Sequence, residues 1–461
     1  MRSTRYNLTL LLVMVLISAV LVSKLSFAAF VSIDCGASDP YTDENKITWA
    51  GDDGYVQSGE SQQVDQLYSE DHVLSTLRVF PTSGNSNCYT IGGLQKAERV
   101  LVRATFLYGN YDGQNSPPTF DLYFDGNLWI TMTLSDYTEN TYVFTEAIYI
   151  VSGTATSICL AQTMPNQIPF ISSLELRSLG PDMYSHVGAK YFLSTTNRAT
   201  FANQSVRYPD DPYDRLWTNY GADGQSAEIL TSDAAIDVST AEDQPPQAVL
   251  KNAYATTSTS LDPTLDTKLP AGELGNVYVI MYFSEVTRLD STQTRSIQIY
   301  IDNNPYLDPI IPPYGSVLEV SITNVVASPS TSFSVQATPN STLPPLLNAY
   351  EVYTIIPYGR TGKEYVDNGT SPPLSKTPPS PKYSPPTPVE SDLPPPPPSK
   401  STLSPLANYS PPPPPADLNE TPPPPPTFQD ETPLLSGNEK IHIDKLLIIL
   451  VAVIQIFLVV P

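Results

Sequence analysis

A strand–loop–strand unit near residue 110 constrains this chain more than any other feature. The strongly apolar run from Val100 to Tyr108 predicts a buried strand, and a loop rich in Gly, Asn, Asp and Pro follows it. In the second predicted strand, Thr119 to Phe124, apolar residues alternate with Asp121 and Tyr123, so one face is apolar and the other polar. The turn pair Asp125-Gly126 closes the unit. The pattern predicts a half-buried β-sheet.

The same unit returns in the second half of the chain, with strands expected at Val277 to Phe283 and Ile297 to Asn303. Three matches share one offset to within a residue: Phe106 with Tyr282 (176), Tyr123 with Tyr300 (177) and Glu175 with Glu351 (176). This period is too long for a solenoid unit. It predicts two tandem copies of one β domain, at residues 29–180 and 181–357.

The fold class follows from the short alternating segments and frequent turns of the first copy, which the second copy repeats. The first copy shows no long stretch with the 3.6-residue period of a helix. We therefore predict an all-β protein of two tandem β-sandwich, jelly-roll-like domains. In the second copy, the turn-rich segment Arg207 to Trp217 is expected to pack its terminal aromatic residue on the sandwich.

The N-terminus has the pattern of a secretory signal peptide, residues 1–28. Arg2 and Arg5 precede the apolar run from Leu8 to Val22, and small residues that end at Ala28 suit cleavage. A signal anchor is the alternative, but the run is short against the roughly 20 residues of a bilayer span.

Charge and cysteine content limit the partners and the redox chemistry. The formal net charge of −23 argues against nucleic acid and anionic membrane surfaces as partners. Cys35, Cys88 and Cys159 are the three cysteines, and an oxidising compartment should leave one pair and one free thiol. All three pairings remain open, and the spacing is not that of a zinc site.

A proline-rich stalk is predicted at residues 358–435. Between Ser371 and Pro433, 25 of 63 residues are Pro, so the segment cannot bury a core and should adopt an extended polyproline II conformation. The motifs that begin at Tyr383 and Tyr409 resemble those of extensin wall proteins; a plain disordered linker is the alternative. Five glycosylation sequons in the predicted mature chain fit a secreted protein: Asn203, Asn340, Asn368, Asn408 and Asn419.

The C-terminus has the pattern of a membrane anchor. Residues 446–461 are apolar except for Gln455, and the polar spacer at residues 436–445 begins with the small residues Ser436 and Gly437. Small residues, spacer and apolar tail together predict a GPI attachment signal. A short transmembrane helix is the alternative, although no basic flank follows it.

Several segments resemble the malectin-like ectodomain of plant receptor kinases. They are FVSIDCG (30–36), TLRVFP (76–81), NCY (87–89), LYGNYD (107–112), FDLY (120–123), FISSLELR (170–177), DRLW (214–217), YFSE (282–285) and LPPLLNA (343–349). The resemblance covers about Phe30 to Ile356. It implies two malectin-type sandwiches side by side, which the internal repeat indicates independently.

Catalysis is not expected. The chain contains no kinase signature, no leucine-rich repeats, no nucleophile elbow and no phosphate loop, and its three histidines are His72, His186 and His442. The acidic pairs Asp52-Asp53 and Asp210-Asp211 lie in turn-rich segments, where Asp commonly caps the backbone. No cofactor and no metal site are predicted.

Ligand binding is the stronger hypothesis, because aromatic faces with Asp and Asn groups are suited to sugars. The predicted ligand-binding residues are Tyr108, Asn110, Tyr111 and Asp112 of the loop, and Asp121 and Tyr123 of the following strand. The resemblance implies a glucose disaccharide ligand, as in animal malectin, or a peptide, as in the plant receptors. For Tyr108 and Tyr123, packing between the sheets or at the domain junction is the alternative to ligand binding.

Three functions remain open from the sequence. The first is a membrane-anchored recognition module that binds a cell-wall glycan or a secreted peptide and acts through a receptor-kinase co-receptor. The second is a structural tether between wall and membrane. The third is a kinase-less decoy receptor that competes for ligand. All three place the protein on the extracellular face of the plasma membrane.

Overall fold

The computed structural model describes residues 28–359 apart from 70, 82–86, 139–140, 221–226, 257–259, 262–268 and 270–273. The predicted stalk from residue 360 onward, the apolar C-terminal segment and all but the last residue of the predicted signal peptide lie outside the described residues. So do Asn368, Asn408, Asn419, Ser436 and Gly437. Within the described ranges, no helix is long and apolar enough to cross a membrane.

The described residues are almost entirely β-strand and loop. The first half contains β1 (Phe30–Asp34), β2 (Tyr41–Thr42), β3 (Thr48–Gly51), β4 (Glu60–Gln63), β5 (Thr76–Val79), β6 (Cys88–Gly92), β7 (Arg99–Phe106), β8 (Thr119–Phe124), β9 (Asn127–Thr133), β10 (Val143–Ile150), β11 (Ala155–Gln162), β12 (Phe170–Ile171) and β13 (Ser173–Ser178). The second half contains β14 (Tyr191–Thr200), β15 (Thr218–Asn219), β16 (Ala227–Thr231), β17 (Asn252–Thr256), β18 (Ser260–Leu261), β19 (Gly275–Phe283), β20 (Ile297–Ile301), β21 (Asn304–Ile310), β22 (Leu318–Ala327), β23 (Phe333–Ala337), β24 (Leu346–Leu347) and β25 (Ala349–Pro357). The helical elements are α1 (Gln247–Leu250) and the 3-10 turns His72–Leu74 and Leu134–Asp136.

The first sandwich packs one part of a long sheet against smaller sheets. Strands β1, β13, β7 and β10 are neighbours in the long sheet, and β6-β11-β8-β9 and β12-β5-β4 form the smaller ones. Alternate residues of β7, such as Val102, meet Phe120 and Leu122 of β8 in one hydrophobic cluster. The period-2 pattern of β8 therefore has its predicted consequence, because its apolar face is buried in the core.

The second sandwich repeats this topology. Strands β14, β25, β19 and β22 continue the long sheet, while β18-β23-β20-β21 and β16-β17-β24 form the smaller sheets over a second hydrophobic cluster. Each strand from β7 to β13 thus has a counterpart between β19 and β25. The prediction of an all-β protein with two tandem sandwiches is confirmed.

Two details of the predicted strands were wrong. The first strand ends at Phe106, not Tyr108, because Leu107 and Tyr108 already belong to the loop. The match of Phe106 with Tyr282 is also displaced by one residue. Phe106 lies in the first sandwich core and its counterpart in the second core is Phe283, whereas Tyr282 faces the junction between the halves. Val279 and Phe283 line the second core as Val102 and Phe106 line the first, so the offset between these strands is 177 residues.

The two halves meet along a continuous sheet. Strand β10 pairs with β14 through only two residue pairs, Ala147 with Ser194 and Ile148 with Leu193. A third hydrophobic cluster, which includes Leu101 and Trp217, packs against the same region. The boundary between residues 180 and 181 remains a prediction, since the sheet crosses from one half to the other.

A buried charge network lies at this junction. Its carboxylates include Glu175 and Glu351, which occupy equivalent positions in β13 and β25. Glu175 accepts hydrogen bonds from three arginines, and Glu351 accepts from Arg198 at 2.7 Å and from tyrosine hydroxyls. The whole set contains five arginines and five acids: Arg103, Arg177, Arg198, Arg207, Arg215, Glu146, Glu175, Asp211, Asp214 and Glu351. The charges balance, as burial requires.

The segment from Arg207 to Trp217 supplies much of this network. Trp217 is completely buried, and its indole Nε1 donates to Asp211 Oδ2 at 2.7 Å. Asp214 accepts from Arg177 and Arg207, which ties the segment to the first sandwich. The aromatic residue therefore packs as predicted, and Asp211, Asp214 and Arg215 of the same segment are buried with it.

The cysteine pairing that the sequence left open is Cys88 with Cys159, which joins β6 to β11. Cys35 is a buried free thiol, and burial raises its pKa well above the usual range. The disulfide therefore cross-links two neighbouring strands in one of the small sheets of the first sandwich.

Candidate binding site

The predicted ligand loop folds back on itself. The hydroxyl of Tyr108 donates to Asp112 Oδ1 at 2.5 Å and accepts from the backbone N–H of Ser116 at 3.2 Å. The side chains of Asn110 and Asn115 bond to one another at 2.9 Å, and Asn110 Oδ1 also accepts from the Asn115 backbone N–H at 2.8 Å. Most of the polar groups expected to bind ligand therefore hold the loop in shape.

The aromatic residues of the loop anchor it to the first core. Tyr108 is only 4 % exposed, and the half-buried ring of Tyr111 lies 5.6 Å from it and 5.5 Å from Phe170 between centroids. Burial raises the pKa of Tyr111 above its usual range. Gly109 allows this fold because its φ is +51° and a Cβ would lie 2.5 Å from Val64 Cγ1. Tyr108 therefore packs in the first core, which is the alternative to ligand binding stated for it above.

Asp121 and Tyr123 do not join this loop in an exposed site. They lie on the face of β8 opposite Phe120, whose ring packs on Phe170 together with Tyr108. Asp121 is 5 % exposed and accepts from Thr131 Oγ1 at 2.6 Å and from the Tyr123 hydroxyl at 3.3 Å. The expectation of an outward-facing, accessible carboxylate was wrong, because a cross-strand hydroxyl and a neighbouring phenol cover it.

The outer side of the loop forms one wall of a groove of about 700 Å³. We call this the loop groove; it is lined by Leu67, Tyr68, Asn115, Ser116, Pro117, Ser135, Tyr137 and Thr138. Leu67 is 87 % exposed and Tyr137 48 % exposed, whereas Tyr68 packs partly on the first core. Aromatic and apolar surface beside amide and hydroxyl groups can stack on a sugar ring or receive a peptide side chain.

Sequence reasoning missed the walls of the loop groove. Tyr68 and Tyr137 lie 69 residues apart in the sequence, in polar stretches outside the alternating strands. An aromatic residue in a polar segment between strands is the signal that could have identified each. Their convergence on the loop depends on the sheet order, which no local pattern contains.

The buried member of each acidic pair, Asp52 or Asp211, has structural partners. Asp52 is completely buried, and both of its oxygens accept from the Arg78 guanidinium at 2.5 Å, while Tyr89 donates at 2.9 Å. Asp211 belongs to the junction network. Over the described part of the chain, no cluster of three His, Cys, Asp or Glu residues is arranged to hold a metal.

Two predicted glycosylation sites lie within the described residues. Asn203 and Asn340 are both exposed. The backbone carbonyl of Asn203 accepts from Asn219 Nδ2 at 3.1 Å, which leaves its own side chain at the surface. Both positions are therefore accessible to a glycosylating enzyme.

The strand order and the two hydrophobic cores define a tandem β-sandwich protein. A family model for the malectin-like domain matches residues 33–355, and the chain belongs to the malectin-like family. It is 36 % identical over 352 residues to the uncharacterized protein At1g24485 of Arabidopsis thaliana, covering 75 % of this chain and 67 % of that one.

Receptor kinases are also similar to this chain. It is 32 % identical over 340 residues to the probable LRR receptor-like serine/threonine-protein kinase At5g59680 of Arabidopsis thaliana, covering 71 % of this chain but only 37 % of the kinase. Among solved structures, the ANX2 ectodomain from the same plant matches with a TM-score of 0.58 and 18 % identity, covering 71 % of this chain and 97 % of that one. A complex of the plant peptide RALF23 with FER and LLG2 matches with a TM-score of 0.55 and 18 % identity, covering 71 % and 95 %. At this identity the structural matches show the shared fold.

Proposed function

We propose that this protein is a non-catalytic extracellular recognition module, which binds a cell-wall glycan or a secreted peptide in the loop groove and acts through a partner receptor. The observation that carries the proposal is the groove itself. It has the volume of a small-ligand site, and both the exposed aromatic residue Tyr137 and the polar residue Asn115 line it.

The relatives favour a receptor-type role. The chain matches receptor kinases over about a third of their length, and the solved complex of RALF23 with FER and LLG2 provides a precedent for a peptide and a further protein on this fold. A decoy that competes with full-length relatives is the second candidate, because the similarity to the kinases covers 71 % of this chain.

Paired variants test the groove. Tyr137→Ala removes an exposed ring from the groove, whereas Tyr142→Ala removes a comparably exposed ring (51 %) that does not line it. We expect the first variant to bind at least tenfold more weakly to glucose disaccharides or to a panel of synthetic secreted peptides, whichever binds the wild type. The second should bind normally. Equal affinities of the two variants would show that the ligand does not bind in the loop groove.

Asp112→Ala is expected to act differently from a groove variant. Asp112 accepts hydrogen bonds from the Tyr108 hydroxyl and the Gln114 backbone N–H. Removal of its carboxylate should therefore lower both ligand affinity and thermal stability. Loss of affinity with an unchanged thermal midpoint would instead indicate that Asp112 contacts the ligand directly, as predicted from the sequence.

Attachment to the membrane through the predicted signal at Ser436 and Gly437 is part of the proposal. Treatment of membranes with a phosphatidylinositol-specific phospholipase should release a GPI-anchored protein. Retention of the protein would favour a transmembrane helix. Extraction from cell walls that depends on Tyr383 and Tyr409 would favour the tether.

A further inference from the structure

A second groove, of about 560 Å³, lies where the turn before β7 meets the segment after β13. We call this the Arg99 groove; it shares no residue with the loop groove. It is lined by Gln95, Lys96, Ala97, Glu98, Arg99, Ile150, Ser178, Leu179 and Pro181, and by Ala28, which the predicted signal-peptide cleavage would remove. Leu179 is buried and Ile150 half-buried, so the groove has an apolar floor beside charged walls.

Arg99 lies on the junction side of β7, on the same face as Leu101 and Arg103. The cross-strand neighbours of Arg103 are Glu146 of β10 and Glu175 of β13, and both carboxylates bond to its guanidinium. The neighbours of Arg99 are Ile150, its register partner, and Leu179, whose backbone N–H bonds to the Arg99 carbonyl. One arginine of this face is therefore neutralised by the sheet and the other is not.

The Arg99 guanidinium has no counter-charge among the described residues. Its Nε–H is buried and donates to no acceptor among the described residues, and none of their carboxylates lies within 4.0 Å of the guanidinium. Each arginine of the junction network, by contrast, has at least one carboxylate partner. Burial lowers the pKa of Arg99, an effect that only more distant groups such as Asp243 oppose.

The other polar groups of the groove increase the positive character of the site. The one carboxylate in the lining, that of Glu98, accepts from Ser178 Oγ and from the Gln95 backbone N–H at 2.6 Å. Lys96 is exposed on the same turn. The groove thus presents two cations and a carboxylate that is already engaged, in a chain whose net charge is −23.

We propose that the Arg99 groove binds a small ligand through a carboxylate, which Arg99 and Lys96 neutralise. A partly buried guanidinium forms its strongest contacts with a carboxylate, and the apolar floor suits the body of a small organic molecule. A sugar acid and an acidic amino-acid side chain share this chemistry. The inference is independent of the loop groove.

The test titrates the purified full chain with glucuronate, N-acetylglutamate and glucose at low ionic strength, with saturation-transfer NMR as the readout. We expect at least one of the two carboxylates to bind and glucose not to bind through this groove. Arg99→Gln should weaken carboxylate binding at least tenfold. Arg288→Gln is the matched control, since Arg288 is exposed and does not line the groove.

The ligand that binds identifies its source. Binding of glucuronate alone indicates a sugar acid, and binding of N-acetylglutamate alone indicates an amino-acid carboxylate, which belongs to the side chain if the α-amide of N-acetylglutamate also binds. Arg99→Lys keeps the charge and should retain part of the affinity, so loss of binding through misfolding can be distinguished from loss of a contact. Failure of both carboxylates to bind, or equal affinities of wild type and Arg99→Gln, would overturn the proposal without affecting the loop groove.

Discussion

Glu351→Gln is the sharpest test of the junction network. The carboxylate of Glu351 is completely buried and accepts from Arg198 Nε at 2.7 Å, Tyr282 at 2.7 Å and Tyr184 at 3.0 Å. Burial alone would raise the pKa of Glu351, but the nearby arginines Arg198 and Arg215 outweigh it and lower the pKa. The group is therefore ionised at neutral pH, and Gln removes a real charge without changing the shape.

The expected cost is that of leaving buried cations with too few anions. Removing one partner of a buried ion pair typically destabilises a protein by about 3–5 kcal/mol. Unfolding entropy is about 2.1 cal/mol/K per residue, so a unit of about 330 residues has an unfolding entropy of about 0.7 kcal/mol/K. The thermal midpoint should therefore fall by about 4–7 °C.

Differential scanning calorimetry of the full chain measures this shift. Glu228→Gln is the control, because Glu228 is exposed, and its midpoint should stay within about 1 °C of the wild type. If the thermal midpoint of Glu351→Gln also shifts by less than about 1 °C, Glu146 alone is enough to neutralise Arg198. The network would then not depend on this carboxylate.

Burial raises the pKa of Asp243 from 3.8 to about 8, so the folded chain holds a proton that the unfolded chain has lost. Stability should therefore fall as the pH rises from about 4 to 8, and Asp243→Asn should flatten that slope in urea titrations; parallel slopes would contradict this. Replacing Cys88 and Cys159 by Ser opens a loop with a sequence separation of 71 and should cost about 4 kcal/mol, which an unchanged urea midpoint would refute. Gly109→Ala places a Cβ 2.5 Å from a valine methyl carbon at φ +51° and should cost about 1–3 kcal/mol. Gly92→Ala, with open space around it, is the control, and equal urea midpoints of the two variants would count against the strain argument.

The strands could be predicted because their signals are local. The alternation of β8 placed its ends at Thr119 and Phe124, as the structure has them, and the positive φ of Asp125 and Gly126 suits the predicted turn. The repeat was visible because both copies keep the same strand order. The one-residue error between Phe106 and Tyr282 arose because β19 is apolar and buried on both faces, so its sequence pattern does not show which residues face the second core.

The binding site could be predicted only in part. The sequence identified a loop with the right residue types, but Tyr108 and Asp112 satisfy each other within it. A polar side chain that supports a loop and one that binds a ligand have the same local signature. Tyr137, which lines the loop groove, comes from another segment, and its position depends on tertiary packing.

The junction network likewise depends on tertiary packing that the sequence does not reveal. Charges such as Arg103 inside an apolar strand are visible in the sequence, yet its partners Glu146 and Glu175 lie 43 and 72 residues away. Balanced buried pairs add little net stability compared with apolar residues, so their main effect is on which arrangement forms. Because β10 and β14 share only two residue pairs, the sheet alone constrains the halves weakly. The network and the third hydrophobic cluster must therefore fix the two sandwiches as one body, so that grooves in one half keep a defined geometry toward surfaces of the other.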